Sequence, residues 1–423
     1  MAEGIAMRAI GLRLEFLLRS TKGLALVAFA LVSLETVLFG MISGPMADLG
    51  IRDVWVQLTG MQLIAGEREG RIILLYHTIA QAVVAVEVYF ITALWRFRPH
   101  EQAMINGTIT VGYITSMVFG MWFAYFGHDF LFHGLFIFGQ CLVFFAGLQL
   151  AWALWPFRPE YRLSDSTYAS WRGWDVERLA VFVMAVSTLI SACFGAVPAA
   201  YWGRGQEAFL AEDLIRMPAK TALELAIIGH LHIMLTLIAV ALTLILSRWF
   251  DFKGRLHKWA MPLLIVGTLI IDVGVWSIVV YRATAHIIIN VGSLPVLVAS
   301  ILLTIFGWRQ IVTERLTAVG ATRPSLLGRL GALLHDPLRF GALWQMIYMN
   351  FVVTAIGIFM AVRLDAIIRV WPLREERIAL TGHWHILSGV IATILLLYYA
   401  DLAGLKGRVR QWFGWVVILG SDL

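Results

Sequence analysis

Positions 382–400 read Gly-His-Trp-His-Ile-Leu-Ser-Gly-Val-Ile-Ala-Thr-Ile-Leu-Leu-Leu-Tyr-Tyr-Ala. Two histidines, His383 and His385, begin an apolar run long enough for a membrane-spanning helix. Ionisable side chains inside a bilayer are costly and are usually functional. Side chains two positions apart on an α-helix point about 200° away from each other. The pattern therefore predicts a transmembrane helix whose two histidines serve pockets on opposite faces.

The rest of the chain is similarly apolar. Of its 423 residues, 60% are hydrophobic and 14% are charged. This composition argues against a soluble protein and predicts an all-α, polytopic bundle of about 10–11 transmembrane spans. The stretch 412–420 is too short to cross, and we expect it to be part of a truncated span or an interfacial segment. Ten full spans are expected near 23–42, 72–95, 103–126, 130–155, 179–202, 221–249, 259–281, 285–308, 341–362 and 379–400.

Basic residues indicate the orientation of these spans. They cluster after even-numbered spans, at 96–98, 248–258, 309–339 and 406–410, and in the N-terminal segment. By the positive-inside rule this side is cytoplasmic, so we expect a multi-pass protein of a prokaryotic plasma membrane. Residues 1–22 are predicted to be a cytoplasmic amphipathic segment and 23–423 a single transmembrane domain. The net charge of +6 indicates contact with anionic lipid rather than with nucleic acid.

Three other histidines begin spans in the same way. His77 lies near the start of the second span, and His230 and His232 belong to a Gly-His-Leu-His at the start of the sixth. The second, sixth and tenth spans thus form a weak repeat with a period of four spans. This period predicts three arcs of helices around a pseudo-threefold axis, with the histidines toward the outer face.

For titratable residues elsewhere in the spans and loops, the sequence predicts a role less specifically. Glu87 and Asp272 lie inside spans, and each is expected either to hydrogen bond to a neighbouring helix or to belong to a proton path. His257, in a basic loop, is expected to be solvated.

The Gly-His-Trp-His-Ile-Leu-Ser-Gly segment at 382–389 resembles the tenth-helix motif of subunit I of the haem–copper oxidase superfamily, which includes bacterial nitric oxide reductases. His77-Thr78 and Gly229-His230 resemble the ligand motifs of its second and sixth helices. The resemblance implies a subunit I-like fold that binds haem b. It also implies that His77 and His385 ligate a low-spin haem and that His383 ligates a second haem.

The chain also departs from that family. Leu231 and His232 stand where the oxidases have Pro-Glu, Met234 stands where the nitric oxide reductases have Glu, and the seventh span has no histidine pair. Copper or non-haem iron held by one histidine would be poorly bound, so neither is expected. The expected second haem is ligated by His383 and by either His230 or His232.

These residues predict a dihaem b-type cytochrome that carries electrons between the quinone pool and an outer redox partner, such as a cytochrome, within a multi-subunit complex. Arg374 and Arg377 are expected either to bind haem propionates or to lie in a solvated loop. One alternative is a terminal reductase of nitric oxide or oxygen, and another is a proton-coupled transporter. A membrane desaturase is disfavoured because its histidine boxes are absent from the sequence.

Overall fold

The computed structural model describes residues 2–64, 68–201, 222–321, 323–363 and 366–423. Within these residues, ten helices are long and apolar enough to cross a membrane, and they lie at the ten predicted positions. This confirms the prediction of an all-α, polytopic membrane bundle. In chain order the helices are α1 Ala2–Arg19, α2 Thr21–Glu35, α3 Pro45–Asp48, α4 Arg52–Thr59, α5 Arg68–Leu94, α6 Pro99–Phe126, α7 Phe130–Leu154, α8 Val176–Tyr201, α9 Ala222–Trp249, α10 Gly254–Ser277, α11 Arg282–Ala318, α12 Leu326–Leu333, α13 Pro337–Ile347, α14 Thr354–Arg363, α15 Leu373–Leu402 and α16 Gly407–Asp422.

Part of the predicted basic loop at 310–340 is helical. The eighth span was expected to end near residue 308, but α11 continues to Ala318 and is 37 residues long. Gln310 donates a hydrogen bond to Glu314 one turn later (2.8 Å), and Arg339 forms an ion pair with the same carboxylate at 2.5 Å. These contacts stabilise the helical conformation of the extension.

The segment before α8 forms a short hairpin that the hydropathy pattern did not indicate. Strands β1 (Ser170–Trp171) and β2 (Trp174–Asp175) pair antiparallel. The two turn residues, Arg172 and Gly173, both have positive φ, at 53° and 83°. Two central residues with positive φ are typical of a type I′ turn, whose twist matches that of the paired strands.

The chain divides into two compact units. Unit 1 comprises 1–155, 185–234 and 275–282, and unit 2 comprises 156–184, 235–274 and 283–423. The single transmembrane domain and the pseudo-threefold arrangement of arcs stay predictions.

Glycines allow the central helices of unit 1 to pack closely. A Cβ atom on Gly139 of α7 would lie 2.5 Å from the backbone nitrogen of Ser116 on α6. A Cβ atom on Gly112 of α6 would lie 2.8 Å from the backbone nitrogen of Val143 on α7. Small residues permit this backbone approach in membranes, where dispersion contacts replace the hydrophobic effect between helices.

In unit 2, α16 packs alongside α13 and α15. A Cβ atom on Gly341 would meet Ile418 at 2.5 Å, and the amide of Gln345 donates to the carboxylate of Asp422 at 2.7 Å. The later residue of α13 contacts the later residue of α16, and both pairs are 77 positions apart in the sequence. The two helices therefore run parallel. The end of α16 therefore packs within unit 2, while the expectation of a truncated span or an interfacial segment at 412–420 stays a prediction.

A buried ionic cluster lies in unit 2 where α8 begins. The carboxylate of Glu177 accepts a hydrogen bond from Ser247 (2.7 Å) and pairs with Arg248 (2.9 Å). His257 is fully buried beside it, with Nδ1 accepting a hydrogen bond from the backbone N–H of Ala169 at 2.9 Å. The prediction that His257 is solvated is therefore wrong, because the loop before α8 folds over this residue.

Candidate functional site

His77 is held in a defined ring orientation on α5. Its Nδ1 lies 2.8 Å from the carbonyl oxygen of Ile73, one turn earlier on the same helix. A carbonyl can only accept a hydrogen bond, so Nδ1 carries the proton and, in the neutral ring, Nε2 has the free lone pair. A histidine whose Nδ1–H is bound to a carbonyl is a typical metal ligand through Nε2.

His230, on α9, is oriented by the same kind of contact from another helix. Its Nδ1 lies 2.9 Å from the carbonyl oxygen of Ser191 on α8. The ring packs directly against Gly195, where a Cβ atom would lie 2.8 Å from Nε2 and 2.9 Å from Cδ2 and Cε1. Those nearly equal distances place the glycine over the ring face, so the in-plane lone pair of Nε2 is directed elsewhere. Gly195 therefore allows the imidazole to lie against α8.

Unit 1 brings these two histidines together. The ring centres of His77 and His230 are 6.2 Å apart, and the ring planes differ by 11°. Two imidazoles on opposite sides of one metal have ring centres about 6.2 Å apart, given metal–nitrogen bonds of about 2.0 Å and about 1.1 Å from nitrogen to ring centre. Neither Nε2 forms a hydrogen bond to any residue that the structure describes. The pair therefore has the spacing of two axial ligands of one metal.

The structure distinguishes His230 from its neighbour His232. The His232 ring is exposed, and its Nδ1 lies 2.8 Å from the carbonyl oxygen of Ile228 on its own helix. Two residues along an α-helix is a rotation of about 200°, so the two rings leave α9 on opposite sides. His230, rather than His232, is thus the partner of His77 in unit 1.

The tenth-span histidines lie in unit 2. His383 packs against Gly357 of α14, where a Cβ atom would lie 2.9 Å from both Cε1 and Nε2 of the ring. His385 is exposed and lines a cavity of about 590 Å³. Apolar side chains and the polar side chains of Tyr348, Thr393, Ser421 and Asp422 also line this cavity. The two rings therefore have different surroundings, as expected for neighbours two apart on a helix.

Two further predicted site residues, Arg374 and Arg377, have side chains outside the described part of the chain. Sequence reasoning missed another arginine, which lies on the same helix as His77. Arg71 precedes it on α5, is 6% exposed and donates a hydrogen bond to the carbonyl of Ile64 at 2.7 Å. A buried guanidinium near a predicted haem is suited to an anionic propionate. In the sequence, Arg71 directly precedes the apolar run predicted to begin at residue 72.

A buried carboxyl contacts the residue that follows His77. Glu35 of α2 is 3% exposed and accepts a hydrogen bond from the hydroxyl of Thr78, the residue after His77. The hydroxyl of Tyr125 lies within electrostatic range of both Glu35 and Arg71. Unit 1 therefore groups a carboxyl, a guanidinium and two hydroxyls around Thr78 and Tyr125, an arrangement that the sequence did not reveal.

Among the residues that the structure describes, no three or more His, Cys, Asp or Glu side chains are grouped so that they could hold a metal ion. Two histidines can nevertheless complete the coordination of a haem iron, because the porphyrin supplies four nitrogen ligands. The chemistry of this donor set therefore fits haem. Comparison with protein-family models, with curated proteins and with solved structures gave no match.

Proposed function

We propose that this chain is an integral membrane b-type cytochrome and that His77 and His230 would together hold the iron of one of its haems. The observation that carries the proposal is the 6.2 Å separation of two rings inclined by 11°. The carbonyl of Ile73 and the carbonyl of Ser191 orient these rings so that each Nε2 is available to a metal.

This pairing replaces the one that the resemblance to haem–copper oxidases implies, in which His77 and His385 share an iron. The Nε2 atom of His77 can bind only one iron, so it cannot serve both arrangements. We propose that α15 contributes the ligand of a second haem. His385 is the favoured candidate, since it lines a cavity whose volume lies within the range of about 300–1,000 Å³ typical of ligand sites.

When bound, haem would supply a one-electron redox couple. His77 and His230 would hold this group, and two imidazoles whose orientation is fixed by the protein would keep reorganisation small during electron transfer. The hydrogen bonds from Nδ1 to carbonyl oxygens fix both rings and increase the basicity of Nε2. We propose a quinol or quinone as one redox partner and an outer-face protein as the other, in a multi-subunit complex of a prokaryotic plasma membrane.

One observation favours a second candidate function, a terminal reductase of nitric oxide or oxygen. His385 is exposed to a cavity, and a haem held there by one histidine would leave a coordination position open to a gas. Carbon monoxide distinguishes the two functions, because it binds rapidly only to an iron with an open or labile position.

Haem analysis of the purified protein tests the proposal directly. Pyridine haemochrome measurement should give about two haems b per chain, one for each pocket. The reduced-minus-oxidised spectrum should show the narrow α-band of a six-coordinate b-type haem. A haem content near zero, with no visible absorption, would instead favour the proton-coupled transporter.

A further inference from the structure

Helix α5 carries a row of polar side chains along one face. Thr78, Gln81, Tyr89 and Thr92 fall within an arc of about 80° at 100° per residue, and the row extends for about 21 Å. Thr78, Tyr89 and Thr92 are at most 2% exposed. We call these four residues the α5 polar row. Buried polar side chains are uncommon in membrane helices, so a row of this length requires an explanation.

At one end, the row reaches two other helices of unit 1. The hydroxyl of Thr78 donates to the carboxyl of Glu35 on α2. The amide of Gln81 donates to the side-chain oxygen of Gln140 on α7. The row therefore ends at the buried carboxyl of Glu35, which accepts a hydrogen bond from the residue after the proposed ligand His77.

At the other end, the row continues through α6. The hydroxyls of Tyr89 and Thr110 are 2.5 Å apart, and Thr110 also donates to the carbonyl oxygen of Asn106 at 2.6 Å. Thr92 donates to the side-chain oxygen of Asn106 at 2.9 Å. This chain of hydrogen bonds stops close to the end of α5 at Leu94, beside the basic residues at 96 and 98.

Between these two ends lie two buried hydroxyls of α6. Tyr113 and Ser116 are both fully buried, and neither hydroxyl forms a hydrogen bond of good geometry with a described residue, although that of Tyr113 lies close to the hydroxyl of Tyr89. Ser116 packs against Gly139, the neighbour of Gln140. The side-chain oxygen Oε1 of Gln81 is unpartnered as well. Buried polar atoms without a protein partner are the usual sites of internal water.

A purely structural role would be hydrogen bonding that joins helices. That role accounts for the paired groups but not for unpaired hydroxyls placed in line with them. Hydroxyls and water can each accept one proton while donating another, so a continuous line of them can transfer protons. We propose that the α5 polar row, completed by Tyr113, Ser116 and internal water, conducts protons between the basic end of unit 1 and the carboxyl of Glu35.

The use of this path rests on the proposed function. One electron passed from a quinol to an iron held by His77 adds one negative charge to a medium of low dielectric constant. Uptake of one proton by the carboxylate of Glu35 would offset that charge. Arg71 and Tyr125 are the charged and titratable groups near this carboxyl, and the α5 polar row is its connection to the basic end.

Infrared spectroscopy tests conduction without reference to haem. At a pH where Glu35 is protonated, its carboxyl band is identified as the band that is missing from the spectrum of Glu35→Gln. On transfer of the protein into D2O, this band should shift rapidly in the unmutated chain. It should shift about tenfold more slowly, or slower still, in Thr92→Val and Tyr89→Phe, because each change removes one proton carrier from the line.

The matched controls are Thr92→Ser, which keeps the hydroxyl, and Glu87→Gln. Glu87 is 4% exposed and lies about 180° around α5 from Thr78, so its loss should not change the exchange rate. Slow exchange in the unmutated chain would overturn the proposal, as would equal rates in Thr92→Val and Thr92→Ser. If a variant fails to fold, Ser116→Ala interrupts the same line with a smaller change.

Proton uptake during reduction then tests the coupling. Anaerobic reduction in weakly buffered solution with a pH-sensitive dye should show uptake in the unmutated protein and its loss in Glu35→Gln, with haem content unchanged in both. Normal haem without uptake would overturn the coupling and leave the cytochrome assignment intact. Absence of haem would overturn the cytochrome assignment, while the exchange rates would still decide whether the row conducts protons.

Discussion

The imidazole planes of His77 and His230 are inclined by 11°, and their centres lie 6.2 Å apart. Each ring is held through Nδ1 by a backbone carbonyl, one on its own helix and the other on α8. Two rings already oriented by the protein lose little entropy when they bind a metal between them.

His77→Ala and His230→Ala should remove the same haem. Each change deletes one of the two proposed axial ligands, so the double variant should lose no more haem than either single variant. His232→Ala is the matched control, because its ring is exposed and leaves α9 on the opposite side. Pyridine haemochrome analysis measures the result. A double variant that loses twice as much haem as each single variant would show that His77 and His230 belong to different sites.

Gly195→Ala should disturb the His230 site without altering a ligand. The added methyl group would lie 2.8 Å from Nε2 of His230, closer than a carbon atom can approach. The ring must therefore shift, and we expect a weaker or high-spin haem signal in the visible and electron paramagnetic resonance spectra. Gly134→Ala, on a membrane helix of the same unit with nothing within 4 Å, should leave the spectra unchanged. Identical spectra for both variants would argue against iron bound by His230.

The reduced protein should bind carbon monoxide slowly at the His77–His230 haem, because both axial positions are occupied. His230→Ala should open one position and create a high-spin form that binds carbon monoxide. The measurement is the difference spectrum after flash photolysis. Rapid binding of one carbon monoxide per chain in the unmutated protein, retained in His230→Ala, would locate an open iron elsewhere and favour the terminal reductase.

Asp175 should contribute to stability as a helix cap rather than as a charge. Its carboxylate accepts hydrogen bonds from the backbone N–H groups of Glu177 (3.0 Å) and Arg178 (3.1 Å) at the start of α8. Asp175→Ala should cost about 1 kcal/mol through loss of the cap, whereas Asp175→Asn keeps an accepting oxygen and should cost little. Thermal unfolding compares the two variants. An equal loss for both would show that the charge, not the cap, stabilises this end of α8.

The pH dependence of the Asp175→Asn effect provides a further test. Burial, and then the neighbouring charge of Glu177, raises the pKa of Asp175 above its usual value. A carboxyl whose pKa is raised in the folded state favours folding while it is protonated, and that contribution is lost as the pH rises through the folded-state pKa. The stability of Asp175→Asn relative to the parent should therefore increase as the pH rises from 4 toward neutrality. The opposite trend would show that the ion pair with Arg248 dominates.

Several features of the fold followed directly from the sequence. Hydropathy is a property of about 20 consecutive residues, so the ten spans could be located without knowledge of their neighbours. The extension of α11 was missed because its contact between Glu314 and Arg339 joins residues outside any apolar run. The burial of His257 was missed for a similar reason, since the loop that covers it carries no hydropathy signal.

The candidate site was only partly predictable. All five histidines could be recognised from their type and from their position near the start of a span. Glu35 and Arg71 were not singled out, because an acid near the end of one span and a base near the start of another have no shared pattern. The unpartnered hydroxyls of Tyr113 and Ser116 are ordinary residues in the sequence, and only the packing around α6 makes them unusual.

By itself, the sequence determined that the chain is a bundle of apolar helices with histidines near the start of three spans, because hydropathy and residue type are local properties. Only the tertiary structure decided that His77 meets His230 and that His232 faces away. The physical reason is that spans apolar on all sides leave their rotation about the helix axis open. In unit 1 that rotation is decided by close contacts such as that of Gly195 with His230 and by the hydrogen bond from His230 to Ser191.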